Sequence, residues 1–123
     1  MKIRVYYEDT DAGGIVYHAN YIKFCERARS ELFFQRGMMP NEDNHSGFVV
    51  KDLKASFLSM AMLGDMLEVK SSILKQRASS ILLQQEIYRD ETAIFTMEIL
   101  LVYVREGKPT RIPLSHRELF DQY

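Results

Sequence analysis

The first residues of the chain alternate in character. Ile3, Val5 and Tyr7 can point one way while Lys2, Arg4 and Tyr6 point the other, which predicts a short strand over residues 2–7. A loop rich in Asp and Gly follows, through Gly14. From about residue 20 to residue 36 the period lengthens. Tyr21, Phe24, Cys25, Ala28 and Leu32 recur at steps of three and four, one apolar stripe along a helix. Lys23, Glu26, Arg27 and Ser30 fall on the other side, and Arg27 and Glu31 are spaced to pair one turn apart. Gly37 suits a left-handed helix end, and Pro40 blocks an early return to helix.

After the polar segment 41–46 the chain reads as four strands. Val49, Leu53, Ala55 and Phe57 share a face in the first, interrupted at Lys51. Leu67, Val69, Ser71 and Ile73 do so in the second, after a turn at Gly64-Asp65. Residues 79–89 and 92–105 alternate less cleanly, but Ile81, Leu83, Ile87, Ile94, Phe95, Ile99, Leu101 and Tyr103 favour strands, with Asp90-Glu91 between them. Gly107-Lys108-Pro109 ends the last long strand. Ser115-His116-Arg117-Glu118 has a capping-box pattern and opens a final helical turn with Leu119 and Phe120. One long helix beside consecutive strands predicts a single α+β domain over 1–123, an antiparallel sheet packed on that helix. A single helix leaves apolar surface at the edges of such a sheet, and pairing of two copies is the natural remedy.

Composition narrows the function. At 123 residues and 46% hydrophobic the chain can bury a core without staples. Its one cysteine, Cys25, excludes an internal disulfide, suits a reducing compartment and, on the apolar stripe, reads as a buried structural thiol. With 16 basic and 17 acidic residues the net charge is −1, which excludes a general nucleic-acid binder but not a small polyanionic ligand. The N-terminus turns polar at Glu8, too early for a signal peptide, and no apolar run spans a bilayer; a soluble cytoplasmic protein is expected.

The chemistry is concentrated in Glu8-Asp9-Thr10-Asp11-Ala12-Gly13-Gly14 and the following Ile15-Val16-Tyr17-His18-Ala19-Asn20-Tyr21. Glycines let backbone N–H groups approach a ligand, and a helix start offers free donors. A carboxylate beside such donors suits attack on a carbonyl, with one group as base or nucleophile and the donors holding the oxyanion. By spacing alone an ordinary Asp-Gly turn is the better reading, and His18 is an ordinary histidine near a helix start. A calcium loop fits Asp9, Asp11 and Gly14 but fails at Gly13 and at Asn20, which stands where a bidentate Glu is needed. His45 and His116 have no metal-ligand spacing, so no metal is expected.

The stretch 4–21, continuing through Glu26-Arg27-Ala28-Arg29-Ser30-Glu31, resembles the YbgC-type acyl-CoA thioesterases of the 4-hydroxybenzoyl-CoA thioesterase branch, bacterial proteins associated with the Tol–Pal envelope system. Leu63-Gly64-Asp65-Met66-Leu67-Glu68-Val69 is similar to the family's strand-opening segment. Ser59-Met60-Ala61-Met62 departs from it, standing where the family often has an Ala-Pro pair. The resemblance implies a hotdog fold, a curved antiparallel sheet of five to six strands wrapped around one long helix. It implies homodimers or homotetramers with sites at the dimer interface, and Asp11 rather than Asp9 as the catalytic carboxylate. The His18 N–H would point at the thioester carbonyl and its side chain would matter as well.

Thus Asp11 would activate water or attack directly, with His18 polarising the carbonyl. Gly14, Tyr17 and Asn20 would contact substrate, with Asn20 alternatively capping the helix. No cofactor is implied, because coenzyme A belongs to the substrate. Lys75, Arg77, Arg105, Lys108 and Arg111 are candidates for its phosphates by charge sign alone. A competing reading is a non-catalytic partner of acyl carrier protein or an envelope complex on the same scaffold. A dehydratase is disfavoured, since no His-Phe-Pro-Gly signature is present.

Overall fold

The computed structural model describes residues 1–123. Its strands are β1 (Lys2–Arg4), β2 (Ser46–Phe57), β3 (Met66–Gln76), β4 (Ser80–Arg89), β5 (Thr92–Arg105) and β6 (Lys108–Pro109); its α-helices are α1 (His18–Phe34) and α2 (Leu114–Phe120). All six strands form one antiparallel sheet in the order β1-β3-β4-β5-β2, with β6 paired to β5. The sheet curls around α1, which is the hotdog arrangement.

The faces follow from the register. Leu67 and Val69 of β3, Ile81, Leu83 and Ile87 of β4, and Phe95, Met97, Ile99, Leu101 and Tyr103 of β5 turn inward and are buried. From α1 they receive Tyr21, Phe24, Cys25 and Phe33. Each fully buried Phe contributes about 1.5–3 kcal/mol over leaving it exposed. A polar seam crosses this interface. Buried Arg29 donates to Gln85 Oε1 (2.8 Å), and Gln85 Nε2 donates to the Cys25 carbonyl and Ser71 Oγ (3.1 Å each). The seam ties α1 to β4 and β3, because a buried amide left unpaired would destabilise.

Local details depart from the expected pattern. β1 ends at Arg4, and Tyr7 does not face inward: it begins a 3-10 turn, Tyr7–Asp9, and is exposed. Helix α1 starts at His18, two residues before the expected position, because the chain is already turned there by the preceding loop. Gly37 does adopt a left-handed φ of 67° just past its end. Val49 faces away from the core, since a bulge at Lys51 between Val50 and Asp52 shifts the phase; Phe48 and Val50 share the face of Leu53, Ala55 and Phe57. Arg27 forms no ion pair with Glu31 and instead lies over the Phe24 ring at 5.8 Å. Ser115 is not a cap: Pro113 precedes α2, and Ser115 Oγ sits 3.1 Å from His116 Nδ1.

Candidate functional site

The Asp-Gly loop folds back on itself as a small ladder. The Tyr17 N–H donates to the Asp9 carbonyl (2.9 Å), Thr10 bridges to Val16, and the Asp11 N–H donates to the Ile15 carbonyl (2.9 Å). Its tip closes when the Gly14 N–H donates to the Asp11 carbonyl at 3.0 Å, with Gly14 at φ +78°. That φ suits glycine and strains other residues. A second rung of support comes from the 58–65 segment: the Val16 N–H donates to the Ala61 carbonyl (2.8 Å), and Ile15 bridges to Met62. Ala61 is fully buried, and its own N–H donates to the Tyr21 hydroxyl (2.9 Å). Arg4 and Arg89 hold the same segment through the Gly64 and Met60 carbonyls, so the loop facing the ladder is fixed from both sides.

The two aspartates are treated oppositely. Asp9 is 2% exposed, with Oδ2 accepting the Tyr6 N–H (2.9 Å) and Oδ1 accepting Asn20 Nδ2 (3.0 Å). Asp11 is exposed, and the one hydrogen bond of its carboxylate is Oδ1 accepting the Gly13 N–H (2.8 Å). A methyl group at position 13 would approach that oxygen at 3.3 Å, so Gly13 leaves the carboxylate room. Asp11 therefore keeps acceptor capacity facing solvent.

Helix α1 supplies donors. Its first two N–H groups, those of His18 and Ala19, make no hydrogen bond within the chain, whereas the Asn20 N–H donates to the Tyr17 carbonyl (2.8 Å). No side chain caps this end. Free N–H groups at a positive dipole end are suited to hold an oxyanion or a polarised carbonyl. The His18 ring is exposed, 4.3 Å from the Tyr17 ring and edge-on to Phe57 at 6.3 Å. Asn20 lies beneath the loop, its amide engaged by Asp9, so it neither caps the helix nor faces outward.

Around these groups the surface is apolar. Tyr17, Phe57, Leu58, Met60 and Met62 are all exposed, a concentration that soluble surfaces usually avoid. The site is an open face and not an enclosed pocket. Two cavities of about 370 Å³ and 520 Å³ lie elsewhere, one between α1 and the first half of β2, the other on the outer sheet face. Neither is lined by Asp11 or His18. Lys75 and Arg77 line the outer cavity, at the opposite end of β3 from Met66, roughly 30 Å along the strand at 3.2–3.4 Å per residue. Arg105 is engaged by Asp43 (2.9 Å) and Glu42 (3.2 Å).

Cys25 is no rival nucleophile: it is fully buried, and burial pushes its thiol up to about 12. No three His, Cys, Asp or Glu side chains converge where they could hold a metal ion. No helix is long and apolar enough to cross a membrane. Sequence reasoning missed the engagement of Asp9 with Asn20; a second Asp two residues before Asp11 was its only trace.

Known proteins share this fold. Residues 13–95 match the family model described as the thioesterase superfamily. The chain is 42% identical to "Acyl-CoA thioesterase YbgC" of Helicobacter pylori across 98% of both proteins. It is 36% identical to the protein of the same name from Haemophilus influenzae, over 98% of this chain and 92% of that protein. Among solved structures, a probable thioesterase from Bartonella henselae superposes with a TM-score of 0.84 at 31% identity, covering 92% of this chain and 97% of that one. The chain belongs to the thioesterase superfamily and, within it, to the YbgC-type acyl-CoA thioesterases.

Proposed function

We propose that this protein hydrolyses acyl-CoA thioesters to the free acid and coenzyme A, with Asp11 and the His18 N–H as the reacting pair. The observation that carries this is a solvent-facing carboxylate and an unpaired helix-start N–H held by one short ladder, Asp11 paired with Ile15 at its tip and His18 directly after Tyr17 at its other end. A thioester needs modest activation, because its carbonyl is poorly resonance-stabilised and a thiolate leaves readily. The His18 N–H donates to the carbonyl oxygen as negative charge builds on it. Asp11 then acts in one of two ways. It removes a proton from a water that attacks carbon, or its oxygen attacks directly. In the second route the C–S bond breaks, CoA thiolate departs, and water hydrolyses the acyl anhydride. The His18 ring orients the attacking group or assists thiolate departure. Tyr17 and the glycine turn at Gly14 flank the substrate, and Asn20 supports them from below.

The openness of the site supports a homodimer. Edge strand β2 is 12 residues long with one unpaired side, and it ends at exposed Phe57 beside His18. Such an edge invites another strand. A second copy pairing there would supply the missing wall and the cations for the CoA phosphates, two such dimers making a tetramer. Phe57, Met60 and Met62 would contact the acyl group. The protein would work in the cytoplasm without a cofactor, and acyl carrier protein would offer the same thioester.

A panel of acyl-CoAs from short to long chain, plus a benzoyl thioester, tests the reading. Turnover of at least one is expected, and Asp11→Asn lowers kcat by ~10²–10⁴-fold while the protein stays folded. Near-wild-type turnover by that variant would remove Asp11 from the mechanism. Binding without turnover by the wild type would favour the carrier-partner reading. Label found in Asp11 after single-turnover hydrolysis in ¹⁸O-water establishes the anhydride route, because only water attacking the aspartyl carbon of the anhydride places it there.

A further inference from the structure

We infer that Asp9 and Asn20 form a positioning clamp that sets the Asp11 carboxylate against the His18 N–H. The inference rests on the reading of Asp11 and His18 just given. Asp9 is a buried carboxylate with no Lys, Arg or His nitrogen within 4.0 Å. Burying such a charge is unfavourable unless dipoles compensate it. Here they come from two directions. The Tyr6 N–H reaches Oδ2 from the end of the first strand, and Asn20 Nδ2 reaches Oδ1 from the third residue of α1. The Tyr17 N–H reaches the Asp9 main-chain carbonyl from the residue just before His18.

The consequence is geometric. Asp11 is two residues after Asp9, and the free His18 N–H lies between Tyr17 and Asn20, both bonded to Asp9. The two reacting groups therefore flank one anchor, whose main-chain part is the Tyr17–Asp9 rung and whose side-chain part is the Asp9–Asn20 pair. The fold has other anchors. Phe24, Phe33 and the Arg29–Gln85 seam hold α1 to the sheet without Asp9. Loosening the clamp should thus lower turnover more than it unfolds the chain, since a displacement of about 1 Å at a reacting group costs on the order of 10²-fold.

A reciprocal exchange provides the test, using the wild type, Asp9→Asn, Asn20→Asp and the double variant, with kcat, KM and thermal unfolding measured for each. Asn20→Asp sets two carboxylates about 3 Å apart, and kcat is expected to fall ~100-fold with KM little changed. In the double variant Asn at position 9 still accepts the Tyr6 N–H and donates to the new carboxylate. That carboxylate now sits in the first turn of α1, where the helix dipole favours it. Its kcat is expected to recover most of the loss. Asp9→Asn alone falls between, because the Asn20 amide can turn its oxygen toward the new donor.

Wild-type kcat in Asn20→Asp, or a folded double variant no better than it, would overturn the clamp. Should Asn20→Asp fail to fold, Asn20→Ala decides: a several-fold lower kcat in a folded protein supports the clamp, and an unchanged kcat overturns it. Asp11→Asn run beside them keeps the two ideas apart. An active Asp11→Asn sinks the reading of Asp11, whereas an inactive one with no rescue in the exchange sinks only the clamp.

Discussion

The two ends of α1 are finished in opposite ways. At its C-terminal end the Gln35, Gly37 and Met38 N–H groups donate to the Glu31, Phe34 and Phe33 carbonyls at 3.0 Å each. Phe33 packs on His116 and Phe120 with ring centres 5.3 and 5.5 Å apart, and Phe48 packs on Tyr103 at 4.9 Å. Buried His116 reaches the Met39 carbonyl through Nε2 (3.0 Å), and the Tyr103 hydroxyl lies within hydrogen-bond reach of Ser46 and Glu42. At the N-terminal end two N–H groups lack partners, a carboxylate faces solvent with one bond, and five large apolar side chains stand exposed. The C-terminal end holds the fold through these bonds and ring contacts, although Phe34 and Met39 stand exposed there as well. The other keeps capacity that only a ligand or a second chain can take up.

That contrast can be broken most sharply at His18. Proline is tolerated at the first position of a helix, and Tyr17 is already extended at φ −63°, ψ 135°, as a residue before proline must be. His18→Pro should therefore fold while losing the polarising N–H, lowering kcat ~10²–10³-fold. His18→Ala keeps the N–H and isolates the ring's share; equal losses in the two variants would mean the N–H does nothing. At the C-terminal end the pattern inverts. Phe33→Ala should destabilise by about 3–5 kcal/mol in denaturant melts, with kcat per folded molecule unchanged. A specific loss of activity there would dissolve the distinction between the ends. The smallest effect belongs to Cys25, between them. With its thiol held up to about 12, thiol reagents at pH 8 should label it only on unfolding and leave activity intact.

Much of this was legible in the sequence because it rests on period and on turn chemistry. The stripe from Tyr21 to Leu32, the left-handed Gly37 and the order of strands all follow from side-chain spacing. What spacing does not encode is where a ladder slips or a charge is swallowed. The bulge at Lys51 carries Val49 to the outer face, and Tyr7 turns outward when Asp9 takes the Tyr6 N–H. Arg29 reads as a polar position, yet it is buried because Gln85 waits for it on β4, 56 residues away. The loop was legible as unusual, but spacing favoured a simple turn and could not rank its two aspartates. Family resemblance chose Asp11. The structure supplies a physical basis for that choice, since Asp9 is enclosed and its partners are fixed, whereas Asp11 retains free lone pairs.

On the proposed mechanism one thioester carbonyl meets both the His18 N–H and the Asp11 carboxylate. The most direct measurement is the backbone amide spectrum of the ¹⁵N-labelled protein, titrated with a ketone analogue of a turned-over acyl-CoA in which methylene replaces sulfur. The His18 amide proton should move downfield saturably, and should do so in Asp11→Asn as well, because the N–H and not the carboxylate holds the oxygen. A His18 amide that stays put while the analogue saturates the protein would mean that this N–H does not hold the carbonyl.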